Sequence, residues 1–392
     1  MQRRKPLNTV RLTCTVVFLS FTFAWLYWFQ ADVMAFAQHG LSGGKTHYDR
    51  TIGAIICTAV LLLVHLLINT VVHVTRTTHA LTYFPSFLLL AFVSSVSFPF
   101  SWGAWPWAAP LALLGWAGLL LMTKKMVPFD TYSSKHGGSN TPRLLWVNLL
   151  QMAVMMLGVA VVSNTQALTH FKARAELALL EGNADEALRV GRKSYDTDAT
   201  LTMLRVFALS KQGLLGDKLF SYAVAGSSKD MLPLKGSNGQ LSLMPDSLLW
   251  EHFGLCPDSL FAHTDTLGRI YSEAEHYTTS QYLRLLQTDS MATSAWRDYL
   301  LTGWLIDRQL DSFAIHLPEH YVAIPDSLPR HYREALVLYN SQPRHDTLYH
   351  YVDTLMERRW YEYQRLDSIY NNVTERKLRS EEDFGDTYWY YY

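Results

Sequence analysis

Five apolar stretches fill most of the first 163 residues, at about Leu12–Phe29, Thr51–Val74, Leu81–Phe98, Ala104–Met122 and Leu144–Val162. At a helical rise of about 1.5 Å per residue, each reaches across a hydrocarbon layer about 30 Å thick. None holds an Asp, Glu, Lys or Arg in its middle, where a charge is costly. The third stretch is the weakest, because Pro85 and several serines interrupt it. Trp102, Trp105 and Trp107 fill the turn after it, and indole rings favour the headgroup interface, so that turn marks a bilayer surface.

The formal net charge of zero conceals a division along the chain. Through Ser163 there are 11 Lys and Arg against three acids, Asp32, Asp49 and Asp130; the remainder carries 23 bases and 31 acids. Placing the N-terminus in the cytoplasm puts Arg3, Arg4, Lys5, Arg11, Arg76, Lys124, Lys125, Lys135 and Arg143 inside and only Lys45 and Arg50 outside. Nine bases against two fix that orientation, and five crossings then deliver everything after Val162 to the far side. In a bacterium the far side is the periplasm. An alternative stays open: Arg3, Arg4 and Lys5 ahead of an apolar stretch, with Ala35-Phe36-Ala37 beyond it, also suit a cleaved signal peptide, which leaves four crossings and the same orientation. The acidic second part has no basic patch, which excludes nucleic acid as a partner.

Within the runs, His65 and Asn69 on the second and Asn148 and Gln151 on the fifth are expected to form interhelical hydrogen bonds. His65 and His73 are eight residues apart and lack a clear partner on another helix for a haem. The first outer loop gathers Asp32, His39, His47, Asp49 and Arg50 around Gly40, Gly43 and Gly44. His39, His47, Asp49 and Arg50 are the candidate catalytic residues of the chain, for acid–base chemistry or a metal. The competing and favoured reading is structural, with Asp49 at the positive end of the second helix.

From Ala167 the apolar pattern takes a helical period through Phe171, Ala175, Ala178 and Leu179, and Gly182-Asn183 breaks it. Helices are expected over Ala184–Lys193, from Ala199, as a pair over Arg269–Leu286 with a capping box from Ser272 to Glu275, over Trp296–Ile306 with Gln309–Leu317, over Tyr332–Tyr339 and over Leu348–Tyr370. Ala223–Pro245 is the main irregular insertion. The run from Leu179 to Leu188 resembles the turn of a tetratricopeptide repeat. The fold class is therefore all-α: a transmembrane bundle over residues 1–163 and a tetratricopeptide-like α-helical solenoid over 164–392.

Two segments, Gln38–Gly44 with Thr46–Arg50 and Leu328–Leu336, resemble an uncharacterised family of bacterial inner-membrane proteins of Bacteroidota type, with a membrane bundle followed by tetratricopeptide-like helices. The resemblance implies no activity, substrate or cofactor.

No phosphate loop, dinucleotide fingerprint, His-Glu-x-x-His or Gly-x-Ser-x-Gly occurs, and no cofactor or metal is implied. Of three cysteines, Cys14 and Cys57 lie in apolar runs and Cys256 stands alone in the second part, so no disulfide framework is available. His316 and His320 have a metal-like spacing, but Pro318 between them is expected to spoil the helix. The aromatic end, Tyr388-Trp389-Tyr390-Tyr391-Tyr392, either closes the helical stack or meets a ligand, and closure is favoured.

Asp followed by Ser or Thr and an aliphatic residue or Met recurs at Ser247, Ser259, Thr266, Ser290, Ser327, Thr347, Thr354 and Ser368, all in the second part. The tripeptide resembles an O-glycosylation acceptor of exported Bacteroidota proteins. Helix N-capping explains most of these sites, though not Thr354, expected inside a long helix. The functional reading is a membrane-tethered scaffold that meets membrane lipid through its bundle and a protein or peptide partner through its helices. The alternative is a membrane enzyme or export component acting on lipid-linked or polysaccharide substrates at the first outer loop.

Overall fold

The structure, a computed structural model, describes residues 5–72, 76–96, 103–125, 141–234, 236–254, 262–264, 270–272, 278–288, 292–322, 327–342 and 351–392. Arg3, Arg4, His73, Trp102, Lys135, Cys256, Ser259, Thr266, Glu275, Ser290 and Thr347 lie outside them. Two compact units divide the chain, Met1–His170 and Phe171–Tyr392.

The first unit contains α1 (Lys5–Ala24), prolonged by a π turn at Trp25–Phe29, then α2 (Ala31–Ser42), α3 (Arg50–Val71), a 3₁₀ segment at Arg76–Tyr83, α4 (Phe84–Ser94), α5 (Trp105–Lys125) and α6 (Thr141–Val162). Among the described residues four helical stretches are long and apolar enough to cross a bilayer: Thr9–Phe29, Arg50–Val71, Trp105–Thr123 and Thr141–Val162. The third expected run is a shorter apolar helix, Thr78–Ser94. Its first part is wound as 3₁₀ turns with a kink at Thr78. Since a 3₁₀ helix rises about 2.0 Å per residue rather than 1.5 Å, this stretch still extends about 27 Å.

Hydrogen bonds within the unit fix the direction of each segment. At one end Trp25 Nε1 donates to Ser94 Oγ (3.1 Å), Gln30 Nε2 to the Asn164 carbonyl (2.9 Å) and Asn164 Nδ2 to the Val96 carbonyl (2.8 Å). Toward the other, Thr15 Oγ1 meets the Tyr83 hydroxyl (2.8 Å) and Asn148 Oδ1 accepts from Ala80 N (2.8 Å). So α1, the 76–94 segment and α6 run parallel. The opposite direction is taken by α3, where Arg50 donates to the Tyr27 carbonyl and the Leu61 carbonyl accepts from Ser86 Oγ (2.9 Å). Likewise α5 runs back along α4, with Trp105 against Phe92 and Trp116 Nε1 on the Leu81 carbonyl (2.8 Å). Val10, Cys14 and Phe18 of α1, Leu61 of α3, Phe87 and Leu90 of α4 and Met152 of α6 form the core, while Leu67, Leu111, Leu121 and Val161 point outward as lipid-facing residues do.

The second unit begins with α7 (Ala167–Leu180), which starts a few residues ahead of the boundary, and α8 (Ala184–Arg189). Gly182, at φ +75°, makes the turn that only glycine adopts cheaply, and Asn183 Oδ1 caps α8 at Glu186 N (3.0 Å). Next come α9 (Ala199–Lys211), buried from Leu201 to Leu209, the single turn α10 (Leu215–Lys218) and α11 (Asp246–Phe253). The irregular insertion is held by carboxylates that accept from backbone: Glu176 Oε1 from Ser242, Leu243 and Met244 N (2.6–2.8 Å), and Asp230 from Ser227 and Asn238 N.

Two short strands, β1 (Ala262–Thr264) and β2 (Ile270–Ser272), pair antiparallel, and β2 stands where the first helix of the Arg269–Leu286 pair was expected. Ile270-Tyr271 suits an extended pleat as readily as a helix face, and Ser272 is a strand residue rather than a cap. Then α12 (Thr279–Thr288), α13 (Ala295–Ile306), α14 (Leu310–His320), α15 (Arg330–Ser341), α16 (Thr354–Ile369), α17 (Val373–Phe384) and the final turn α18 (Tyr388–Tyr391) follow. From α12 to α18 each helix packs on the next, and α18 also returns to α15.

Candidate functional site

In the loop between α2 and α3 Asp49 is the N-cap of α3: its Oδ1 accepts from Thr51 N (2.9 Å) and Ile52 N (2.7 Å). Arg50 lies over the Tyr27 ring, 4.5 Å from its centre, with its guanidinium on the Tyr27 carbonyl. Gln38 Nε2 reaches Thr46 Oγ1 (3.0 Å) and the His47 carbonyl (3.4 Å), and the His39 ring lies beside Gly44. A Cβ at Gly53 would collide with the Tyr48 ring, so glycine lets that ring lie on α3. Asp49 and Arg50 thus act on backbone. No group of three or more His, Cys, Asp or Glu suited to a metal occurs among the described residues.

Polar residues inside the bundle serve the backbone in the same way. His65 stacks on Tyr83 at 3.6 Å and meets Thr82 Oγ1 (3.4 Å), and Asn148 supplies the acceptor that Ala80 N lacks at the kinked start of the 76–94 segment. In hydrocarbon an unsatisfied N–H costs several kcal/mol, which gives these residues a structural reason.

The aromatic C-terminus is folded into the second unit. Tyr388 N donates to Glu334 Oε2 (2.7 Å), Trp389 Nε1 to the Glu334 carbonyl (2.7 Å), and the Tyr388 and Tyr391 hydroxyls to the Leu305 (3.2 Å) and Ile306 (2.8 Å) carbonyls. Phe220 packs against His331, Tyr388 and Tyr391. The fully buried Glu334 also holds His331 Nδ1 (2.9 Å) and Arg330 Nε (2.8 Å). Arg330 continues to Asp386 (2.8 Å) and keeps that carboxyl below its ordinary range. Arg308, at φ +57°, donates to the Tyr391 carbonyl (3.0 Å). A residue of the α13–α14 turn therefore takes a strained backbone while anchoring the chain end.

Helix α14 continues through Pro318, contrary to expectation, and so keeps His316 and His320 one turn apart. Pro318 lacks only its own N–H, and its position in the last turn limits the disruption. Each imidazole nevertheless takes a different tryptophan, His316 stacking on Trp304 (4.8 Å) and His320 standing edge-on to Trp296 (5.1 Å). Those tryptophans are eight residues apart on α13, about 12 Å along a helix.

A cleft of about 190 Å³ opens between the 3₁₀ turn at Ser228–Met231, the N-terminus of α12 and one face of α13. Gly303 lets the turn approach, since a Cβ there would come within 3.3 Å of Ser228 Cβ. Asp307 accepts from Ser228 N (2.8 Å) and Oγ (2.5 Å), and Thr279 Oγ1 donates to the Lys229 carbonyl (3.0 Å). Thr278 and Gln281 form a capping box at the head of α12. Sequence patterning missed this cleft because its walls come from segments some 80 residues apart.

Four of the eight tripeptide sites, Ser247, Ser327, Thr354 and Ser368, are described, and all are exposed. Thr354 is the first residue of α16 rather than an interior one, and Asp353 is its N-cap, accepting from Met356 N (3.1 Å). Capping therefore accounts for that site, whereas Ser247 and Ser368 lie inside α11 and α16 and Ser327 Oγ donates to the Val322 carbonyl (3.1 Å).

Neither a curated protein nor a solved structure matches the chain. Residues 262–392, which run from β1 through the anchored aromatic end, match a family described as Family of unknown function (DUF6057).

Proposed function

We propose that this chain is a multi-pass bacterial inner-membrane protein, with a cytoplasmic N-terminus, whose second unit is a periplasmic, tetratricopeptide-like scaffold for a protein or peptide partner. The charge asymmetry supports the orientation, nine bases against two. The alternating directions of five segments, the short one included, support an odd number of crossings. Retention of α1 is supported by its share of the core, Val10, Cys14, Phe18, Trp25 and Leu26, which cleavage would remove. The glycine–asparagine turn of α7–α8 and the serial packing of α12 to α17 support the repeat-like reading.

One observation carries the scaffold role. The α16–α17 hairpin buries a single side chain on each helix, Leu366 and Phe384, yet exposes Leu355 (73%), Val373 (67%) and Leu378 (62%). Helices that bury so little of their own apolar surface are suited to a partner's. A photo-crosslinking residue at Leu355 or Leu378 in the native host should trap one defined protein adduct, and the same residue at Ser210 on α9 should not. Absence of any adduct at both hairpin positions would oppose the scaffold reading. O-glycosylation remains a separate proposal, tested by intact mass: glycan increments support it and the bare polypeptide mass refutes it.

A further inference from the structure

We propose that the cleft between the Ser228–Met231 turn, α12 and α13 binds a carboxylate presented by a peptide. The argument rests on which polar groups of the cleft are already used. Its carboxylate, Asp307, is occupied at both oxygens by Ser228. Its serine and threonine hydroxyls are taken as well: Ser228 by Asp307, Thr279 by the Lys229 carbonyl, Thr278 by Gln281, and Ser280 by Thr278. The donors are not. Among the described residues the Lys229 ammonium has no ion pair, and neither the Trp304 indole N–H nor the Gln309 side-chain amide has a hydrogen-bond partner. Tyr299, which also lines the cleft, is fully buried and its hydroxyl has no partner among those residues.

A buried phenol without a partner is costly unless something supplies an acceptor. The electrostatics point the same way. The first-turn N–H groups at Thr279 and Ser280 have no acceptor within α12, and that helix end is positive. The Arg284 guanidinium lies 5.6 Å from the centre of the Trp304 ring. With both oxygens of its own carboxylate occupied and its donors unspent, the cleft favours an anionic acceptor over a cation or an apolar group. A volume of about 190 Å³ admits one or two residues, not a folded element. A carboxylate on a peptide meets both limits. The inference does not depend on which side of the membrane this unit faces, nor on the hairpin as a docking surface.

The test uses the full-length protein in detergent with four probes at millimolar concentration: N-acetyl-glycyl-glycine, its C-terminal amide, the α-amide of N-acetyl-aspartate, and N-acetyl-asparagine amide. Saturable thermal stabilisation by either carboxylate probe, absent with its uncharged counterpart, is expected. The first probe represents a chain terminus and the third an acidic side chain, so the tighter of the two identifies the source. Lys229→Met, at an exposed position, should weaken that probe about tenfold while leaving the melting temperature of the free protein unchanged. Tyr299→Phe should weaken it without unfolding the protein, and Lys218→Met should have no effect. Equal response to carboxylate and amide, no saturable response to either carboxylate, or full affinity in Lys229→Met would overturn the proposal.

Discussion

Glu334 commits both of its carboxylate oxygens to the fold. Fully buried, it accepts from His331, Arg330 and the Tyr388 backbone, so its removal strands three donors at once. Glu334→Ala should cost about 3 kcal/mol, read as a fall in the denaturant midpoint of the purified protein. An unchanged midpoint would show the network to be incidental. Asp298 behaves differently. Its Oδ1 accepts from the Tyr321 (2.7 Å) and Tyr332 (2.9 Å) hydroxyls, yet burial pushes the carboxyl above its ordinary value. The folded state therefore holds that proton more tightly than the unfolded chain, a contribution present at acid pH and lost as pH rises through the raised value. Asp298→Asn keeps an acceptor and removes the charge, so its stability relative to the parent should improve between about pH 4 and pH 8. A difference that stays flat across that range would contradict the assignment.

Elements were legible where one periodic signal dominated. Gly182-Asn183 ended α7 as read, and Trp296–Ile306 is α13 to within a residue, because its apolar residues leave a helix little alternative. The third apolar run was legible as hydrophobic but not as a 3₁₀ start, which depends on Asn148 from a helix some 70 residues away. The first helix of the Arg269–Leu286 pair failed because a short strand and a helix share so brief an apolar pattern, while the second is α12. Pro318 was read as a helix breaker from its lost N–H alone, without the packing of His316 and His320 that surrounds it. Asp49 offered two meanings in sequence, a helix cap and an acid–base group, and the structure shows it capping α3. At the chain end the aromatic run announced itself, but its target did not: Trp389 is held by Glu334 and ringed by Trp360 and Tyr363. Trp389→Ala should therefore destabilise the protein by about 3 kcal/mol and raise protease sensitivity near the C-terminus. Wild-type resistance would mean that the last turn is not part of the fold.

At the scale of the whole molecule, the account stands on parity. Segments α1, 76–94 and α6 share a direction, α3 and α5 oppose it, and the chain leaves the bundle at the end opposite to where it entered. Counting only the four long helices would return the second unit to the side of the N-terminus, so the proposed periplasmic address rests on the short segment as a crossing. Paired reporter fusions, after Gly138 between α5 and α6 and after Tyr392, measure this directly. A reporter active only in the cytoplasm should be active at Gly138 and inactive at Tyr392; activity at both positions, or at Tyr392 alone, would contradict the five-crossing topology.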